Sequence, residues 1–207
     1  MNEEDNYSWP GWSLQDNPFG TEFDLEARRR MIQNSCLLLP LIQKHGPGEI
    51  IMEAGPFFNP LITPDRFPSI RQIIYTDNDP YVIQYLTVRH NSPQIKIQAA
   101  DLENFKPDSI PRPVDSIIVS HLWNYLDYRK FLENVKPLLK PNGLLFLNHS
   151  VDYGLAFFFS EKRPKNLREI IIVLAKMGFE MIEQNIIPTD HPQHQPHERL
   201  LLVAKRK

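Results

Sequence analysis

The chain has 207 residues and 42% hydrophobic content, enough for one substantial core and too little for two full domains. Its formal charge of −2 supplies no global positive field for nucleic acid or an anionic membrane. Cys36 is a single cysteine, the start "MNEEDN" is acidic, and no apolar stretch reaches the roughly 18–20 residues of a membrane span, so a soluble protein of the reducing cytoplasm is expected.

Residues 1–20 show no periodicity and carry Pro10, Gly11, Pro18 and Gly20, so they read as an extended arm. Tyr7, Trp9, Trp12 and Phe19 are its docking points, either pinning the arm to the body or closing it as a lid over a ligand. From Asp24 to Lys44 the pattern is helical, with Leu25, Met31, Ile32, Cys36, Leu38 and Leu39 on one face, and Pro40 is expected to kink or end its first part. Residues 1–45 are therefore expected to form an arm and helix, and residues 46–207 the main domain.

Short apolar runs then alternate with helical patterns. The runs are 49–54, 72–77, 95–100, 115–121, 143–149, 179–187 and 199–205, with helices expected at 80–90, 127–139 and 165–177. Apolar strands separated by helices are buried on both faces, which predicts an α/β, Rossmann-like fold: a mostly parallel seven-stranded sheet with helices on both sides. Only a loop separates the last two runs, so they are expected to form a C-terminal antiparallel hairpin.

In open α/β sheets ligands bind beyond the carboxyl ends of the strands, where the strand order reverses. Those ends are polar here. Glu53 and Gly55 close the first run, Asp77, Asn78 and Asp79 the second, Asp101 the third, Ser120 and His121 the fourth, and Asn148 and His149 the fifth. Asp77 lies 24 residues beyond Glu53, near the roughly 20-residue interval at which a strand-two acid takes ribose hydroxyls. Each acid alone is compatible with a turn or a helix cap, and their succession after neighbouring strands is what points to a nucleoside.

These segments, in this order, resemble the class I S-adenosylmethionine-dependent methyltransferases over about residues 48–205. "EIIMEAGPFFNP" is similar to the first motif of that family, "IIYTDNDP" to the second and "IQAADLENF" to the third. "VDSIIVSHLWNYLDYRKFLENVKPLLKPNGLLFLNHS" resembles its strand, helix, turn and next strand. The first motif departs from the glycine-rich form at Phe57 and Asn59, and resembles a variant with Gly-Pro, two variable residues and Asn-Pro. Asn tolerates positive φ better than most side chains, so Asn59 is expected to stand in for a glycine and Pro60 to open a short helix. The resemblance implies the cofactor S-adenosyl-L-methionine, contacted by Glu53, Ala54, Gly55, Pro56, Asn59, Asp77, Asn78, Asp101, Leu102, Ser120 and His121. Within that set, Glu53 would engage the methionine amino end, Asp77 the ribose, and Asp101 with the backbone around Leu102 the adenine.

Methyl transfer needs donor and acceptor in line, and an acceptor hydroxyl or ammonium must also lose a proton. His121 is the expected base because an imidazole titrates near neutral pH, with Tyr125 the second catalytic candidate. The competing reading of His121 is a hydrogen-bonded residue with no part in proton transfer. His149 and Tyr153 are expected to contact the substrate, and "YGLAFFF" (153–159) reads either as an apolar wall of its site or as a helix burying aromatics. His191, His194 and His197 lie in a proline-stiffened loop with no nearby cysteine, so no metal is expected. The reading is a methyltransferase acting on an oxygen or nitrogen of a small molecule, with neither nucleic acid nor a membrane as partner and the oligomeric state open. RNA or protein methylation, and a catalytically inactive scaffold of the same fold, are the alternatives.

Overall fold

The computed structural model describes residues 33–104, 110, 113–151, 160–189 and 197–207. The aromatic arm, most of the expected 24–44 helix, Tyr153 with the rest of 153–159, and His191 and His194 lie outside the described residues, as does the side chain of His197. Ser35–Lys207 forms one compact unit that includes helix α1 (Leu39–His45). Pro40 occupies the first turn of α1, where its missing N–H is no loss.

Strands β1 (Ile50–Ala54), β2 (Gln72–Asp77), β3 (Ile95–Ala99), β4 (Val114–Ser120), β5 (Leu139–His149), β6 (Phe179–Thr189) and β7 (His197–Arg206) form one sheet. Its order is β3-β2-β1-β4-β5-β7-β6. The first five strands are parallel, and β7 runs antiparallel to both β5 and β6. This is the class I methyltransferase architecture, mixed only at the C-terminal hairpin.

Successive strand residues face opposite sides, so a strand buried on both faces is apolar throughout. Ile51, Tyr75, Ile118 and Phe146 belong to one buried cluster, joined by Ile42 of α1 and by Val82 and Leu86 of α2 (Pro80–Arg89). Met52, Ile74, Ile117 and Leu145 belong to the other, with Phe131 of α3 (Tyr128–Val135) and Ile170 of α4 (Leu167–Lys176). The helices start at side-chain caps: Asp79 accepts from Tyr81 N–H, Asp127 from Arg129 and Lys130 N–H, and Asn166 from Glu169 N–H. No helix among the described residues is long and apolar enough to cross a membrane.

Three local expectations change. The helix expected over 127–139 ends at Val135, and Pro137 lies in a separate 3-10 turn, Lys136–Leu138. The strand expected from residue 143 begins at Leu139 and absorbs "KPNG" through a register irregularity opposite Val114–Ser116, with Asn142 at φ 64°. Pro60 opens no helix. Residues 60–71 run as turns, because Pro64 and Pro68 each remove a backbone donor that a helix interior would need.

Candidate functional site

The strand order reverses between β1 and β4, and the pairing sets the carboxyl ends of the parallel strands side by side. Ala54 pairs with Thr76 on β2 and Val119 on β4, Asp77 pairs with Ala99, and Ser120 pairs with Asn148. Gly55 leaves β1 at φ 64°, its N–H donating to the Thr76 carbonyl at 2.8 Å. The left-handed φ calls for glycine, and a Cβ there would also lie 2.8 Å from Leu122 Cδ1, so that side chain would have to shift. Ala54 and Pro56 beside it are buried. The turn that follows is closed by Asn59 N–H donating to the Pro56 carbonyl at 3.3 Å. Its left-handed residue is Phe57, at φ 53°, and Asn59 is not among the positive-φ residues, which corrects the expectation that Asn59 replaces a glycine. The Phe57 and Phe58 rings meet at 4.2 Å, and Phe58 meets Tyr85 at 5.1 Å. Ring packing around this turn holds Phe57 in a conformation a side chain normally avoids.

The three acids behave differently. Glu53 is buried on the face covered by residues 60–71, and its two carboxylate oxygens accept N–H bonds from Leu61 at 2.8 Å and Ile62 at 3.1 Å. Burial nevertheless pushes its pKa up to about 7, the N–H donors and the Arg66 charge offsetting only part of the desolvation. Asp77 is half-buried at the end of β2 and accepts from Asp79 N–H at 3.1 Å, with the backbone of Asn78 and Phe57 also donating to it. Burial is the larger influence and raises its pKa. Asp77 thus ties the end of β2 to the turn after β1. Asp101 is exposed and caps its own turn, accepting from Glu103 N–H at 2.9 Å and from the Asn104 side-chain amide at 2.8 Å, which lowers its pKa. Asn78 is exposed, while Leu102 packs in the core and its carbonyl accepts from Asn134 Nδ2 at 3.0 Å.

Beyond β4 and β5 the polar groups are of another kind. Ser120 Oγ donates to Ser35 Oγ at 3.0 Å. His121 is buried at φ 61°, its N–H donating to the Asn148 carbonyl at 2.9 Å. Arg199, fully buried at the start of β7, donates from Nη1 to Asn148 Oδ1 at 2.7 Å, and the same Nη1 lies 3.3 Å from His121 Nδ1 and 3.2 Å from its Nε2. Burial first, then the Arg199 charge and His149, hold the His121 pKa well below its usual value. His149 is fully buried with neither ring nitrogen hydrogen-bonded among the described residues, and burial followed by the Arg199 charge brings its pKa down to about 3. Its ring lies 6.1 Å from that of Trp123, whose Nε1 is likewise buried without a partner. Tyr125 is partly exposed in the turn after β4.

Sequence reading missed Arg199. The signal was available: β7 is antiparallel, so its amino end lies at the edge where the parallel strands have their carboxyl ends, and "ERLLLVAK" places a charge at the mouth of an apolar run.

Residues 56–147 match the family described as methyltransferase domain. The match spans 92 of the 207 residues, and the fold it lies in is that of the class I methyltransferases. No curated protein sequence matches it. Among solved structures, the chain is similar to the N-methyltransferase NodS from Bradyrhizobium japonicum in complex with S-adenosyl-L-homocysteine, with TM-score 0.65, 22% identity, and coverage of 94% of this chain and 91% of that one. It is also similar to magnesium protoporphyrin IX methyltransferase (ChlM) from Synechocystis with the same bound product, at TM-score 0.62 and 14% identity over 90% of this chain and 88% of that one. A candidate RNA methyltransferase from Pyrococcus horikoshii aligns at TM-score 0.61 and 15% identity, covering 83% of this chain and 81% of that one.

The residues at the β1–β2 edge fit S-adenosylmethionine. Gly55 allows close backbone approach, and the Asp77 carboxylate beside it is the kind of acceptor a ribose diol needs. Phe57 and Asn59 stand where the glycine-rich form has glycines, and a cofactor without a diphosphate does not demand them. The β4–β5–β7 edge adds an imidazole, an amide and a guanidinium, suited to holding an acceptor and taking up a proton.

Proposed function

We propose that the chain is an S-adenosylmethionine-dependent methyltransferase that methylates an oxygen or nitrogen of a small-molecule acceptor, with His121 taking the proton the acceptor loses. When bound, S-adenosylmethionine supplies an electrophilic methyl on a sulfonium whose positive charge disappears as the carbon–sulfur bond breaks. Asp77 holds the ribose hydroxyls, and the Gly55–Pro56 backbone lies against the cofactor. Asp101 and the Leu102 backbone border the adenine, while Ser120 and Asn78 complete the contacts at their strand ends. Glu53 acts on the methionine end through the segment its carboxylate anchors, Leu61–Ile62. His149 and Tyr125 border the acceptor.

The observation that carries the reading is His121 itself. It is a buried, neutral imidazole held in a left-handed conformation beside Asn148 and Arg199, at the edge where the strand order reverses. A neutral imidazole has a lone pair for a proton, although the depressed pKa that keeps it neutral makes it a weaker base than the near-neutral imidazole expected from sequence, and a strained backbone persists where the surroundings dictate it. The formal charge of −2 and the small molecule named for ChlM favour a small acceptor. A single cysteine and the absence of a long apolar helix among the described residues suit a cytoplasmic enzyme. The fold likeness to the Pyrococcus horikoshii protein supports RNA as the second reading.

The test is calorimetric titration with S-adenosylmethionine, followed by measurement of S-adenosylhomocysteine release over panels of small hydroxyl and amine acceptors, RNA and protein. Turnover with a small molecule that His121→Asn lowers about 10²- to 10⁴-fold is expected. Turnover confined to RNA or protein, or cofactor binding with no turnover, refutes the proposal.

A further inference from the structure

We propose that Arg199 is a positioning residue for the proton transfer assigned to His121: its guanidinium lies across the face of the imidazole and not on a ring-nitrogen lone pair. The inference rests on the reading of His121 as the proton acceptor, and its geometry stands apart from that reading. Arg199 Nη1 is 3.3 Å from Nδ1 and 3.2 Å from Nε2. An atom almost equidistant from both ring nitrogens sits over the ring, because an in-plane approach between them runs into Cε1. The contact is therefore a cation on the imidazole face and not a hydrogen bond to a nitrogen lone pair. The lone pair that accepts a proton lies in the ring plane, and Arg199 does not occupy it.

A guanidinium is the group for this task because it stays charged when buried, where a lysine would shed its proton. Arg199 is held by the 2.7 Å bond from Nη1 to Asn148 Oδ1 and by the pairing of its backbone with Ile187 on β6. Asn148 also accepts the His121 N–H through its carbonyl, so one residue of β5 fixes both partners. Among the described residues, the groups acting electrostatically on His121 are Arg199 from β7 and His149 from β5, and both disfavour the imidazolium. Burial acts in the same direction. The Arg199 charge thus adds to burial in disfavouring the imidazolium, and weakens the ring as a base by the same amount. On this view Arg199 sets the lower pH limit of turnover without touching the acceptor.

The test follows the His121 ring by NMR over roughly pH 5 to 8, the range in which an unperturbed histidine titrates. The full-length protein is compared with Arg199→Met and with Arg199→Gln, the latter retaining a donor for Asn148 should the methionine variant fold poorly. His121→Asn assigns the signal. In the wild-type protein the His121 signal is expected to stay at its neutral position throughout the range. In both variants the onset of protonation moves to higher pH than in the wild type as pH falls through and below this range, burial still holding it under the ordinary histidine value, and the acid limb of kcat/KM shifts to higher pH with it. A His121 signal that titrates identically in all three proteins overturns the inference. Undiminished turnover by His121→Asn refutes the base assignment alone, and the NMR comparison still decides what Arg199 does to the ring.

Discussion

Glu53→Gln tests whether the acid of the first motif is a buried charge clamping a loop. The side chain is 3% exposed, and desolvation raises its pKa from 4.5 to about 7. An acid whose folded pKa is raised takes up a proton on folding between those two values. Its contribution is fully present below about pH 4.5 and is lost as pH rises to about 7. At about 1.4 kcal/mol per unit, the loss is about 3 kcal/mol. His149 has the opposite slope: with its pKa depressed from 6.5 to about 3, it costs stability as pH falls below 6.5, by about 5 kcal/mol in full. The two slopes oppose each other over this range and the depressed His121 adds to that of His149, so the wild-type stability curve alone does not isolate Glu53.

The difference between proteins separates them. Glutamine keeps the volume of Glu53 but presents an NH2 to one of the two backbone donors, a cost of about 1–3 kcal/mol that does not vary with pH. Urea unfolding from pH 4.5 to 8, with m checked for constancy, yields the stability of each protein. The advantage of wild type over Glu53→Gln is expected to shrink by about 3 kcal/mol between pH 4.5 and 7. Parallel curves would mean that Glu53 carries no raised pKa, and the account of the buried clamp would fail.

Gly55→Ala is expected to lower stability by about 1–2 kcal/mol through its left-handed backbone and to weaken S-adenosylmethionine binding as Leu122 is displaced; denaturant unfolding and calorimetry read the two effects, and unchanged stability refutes the steric argument. Asp77→Ala is expected to raise the Kd for S-adenosylmethionine about 10- to 100-fold, the loss of charge-assisted bonds of about 1.5–3 kcal/mol, with the Asp79 cap of α2 intact. Calorimetry that finds the affinity retained removes Asp77 from the ribose. His149→Leu is expected to gain stability over wild type by about 2 kcal/mol more at pH 5 than at pH 7, because only the wild-type unfolded chain is charged there. A pH-independent difference in urea midpoint refutes the depressed pKa, and lost turnover in a stabilised variant marks His149 as functional.

The sheet was legible because its strands are apolar on both faces and its helices carry caps and regular stripes. "EIIMEA", "QIIYTD" and "DSIIVSH" read as buried strands without help from their neighbours, and Asp79, Asp127 and Asn166 mark helix starts by residue type. The alignment of strand ends was equally legible, since parallel strands bring their carboxyl ends to one edge. Side-chain direction was not. Glu53 and Asp101 occupy their expected places, yet one turns into the loop after β1 and the other into its own turn, outcomes set by local N–H groups that residue type does not reveal. Arg199 escaped notice because the contact joins residues 78 apart and depends on how an antiparallel strand lies against β5.

The first-motif turn explains why so few glycines suffice. Pro56 fixes its own φ, Asn59 N–H closes the turn onto the Pro56 carbonyl, and Glu53 holds Leu61 and Ile62 from below. Each device restricts backbone that a glycine-rich turn would leave mobile. The left-handed Phe57 costs about 1–2 kcal/mol, which the Glu53 bonds and the ring contacts to Phe58 offset. A turn built this way is rigid before any ligand arrives, so binding need not order it, and affinity comes to depend on the few groups that face the cofactor. That dependence is why one substitution at Asp77 is expected to be felt so strongly, while a glycine placed at Phe57 would relieve strain and return mobility to the turn.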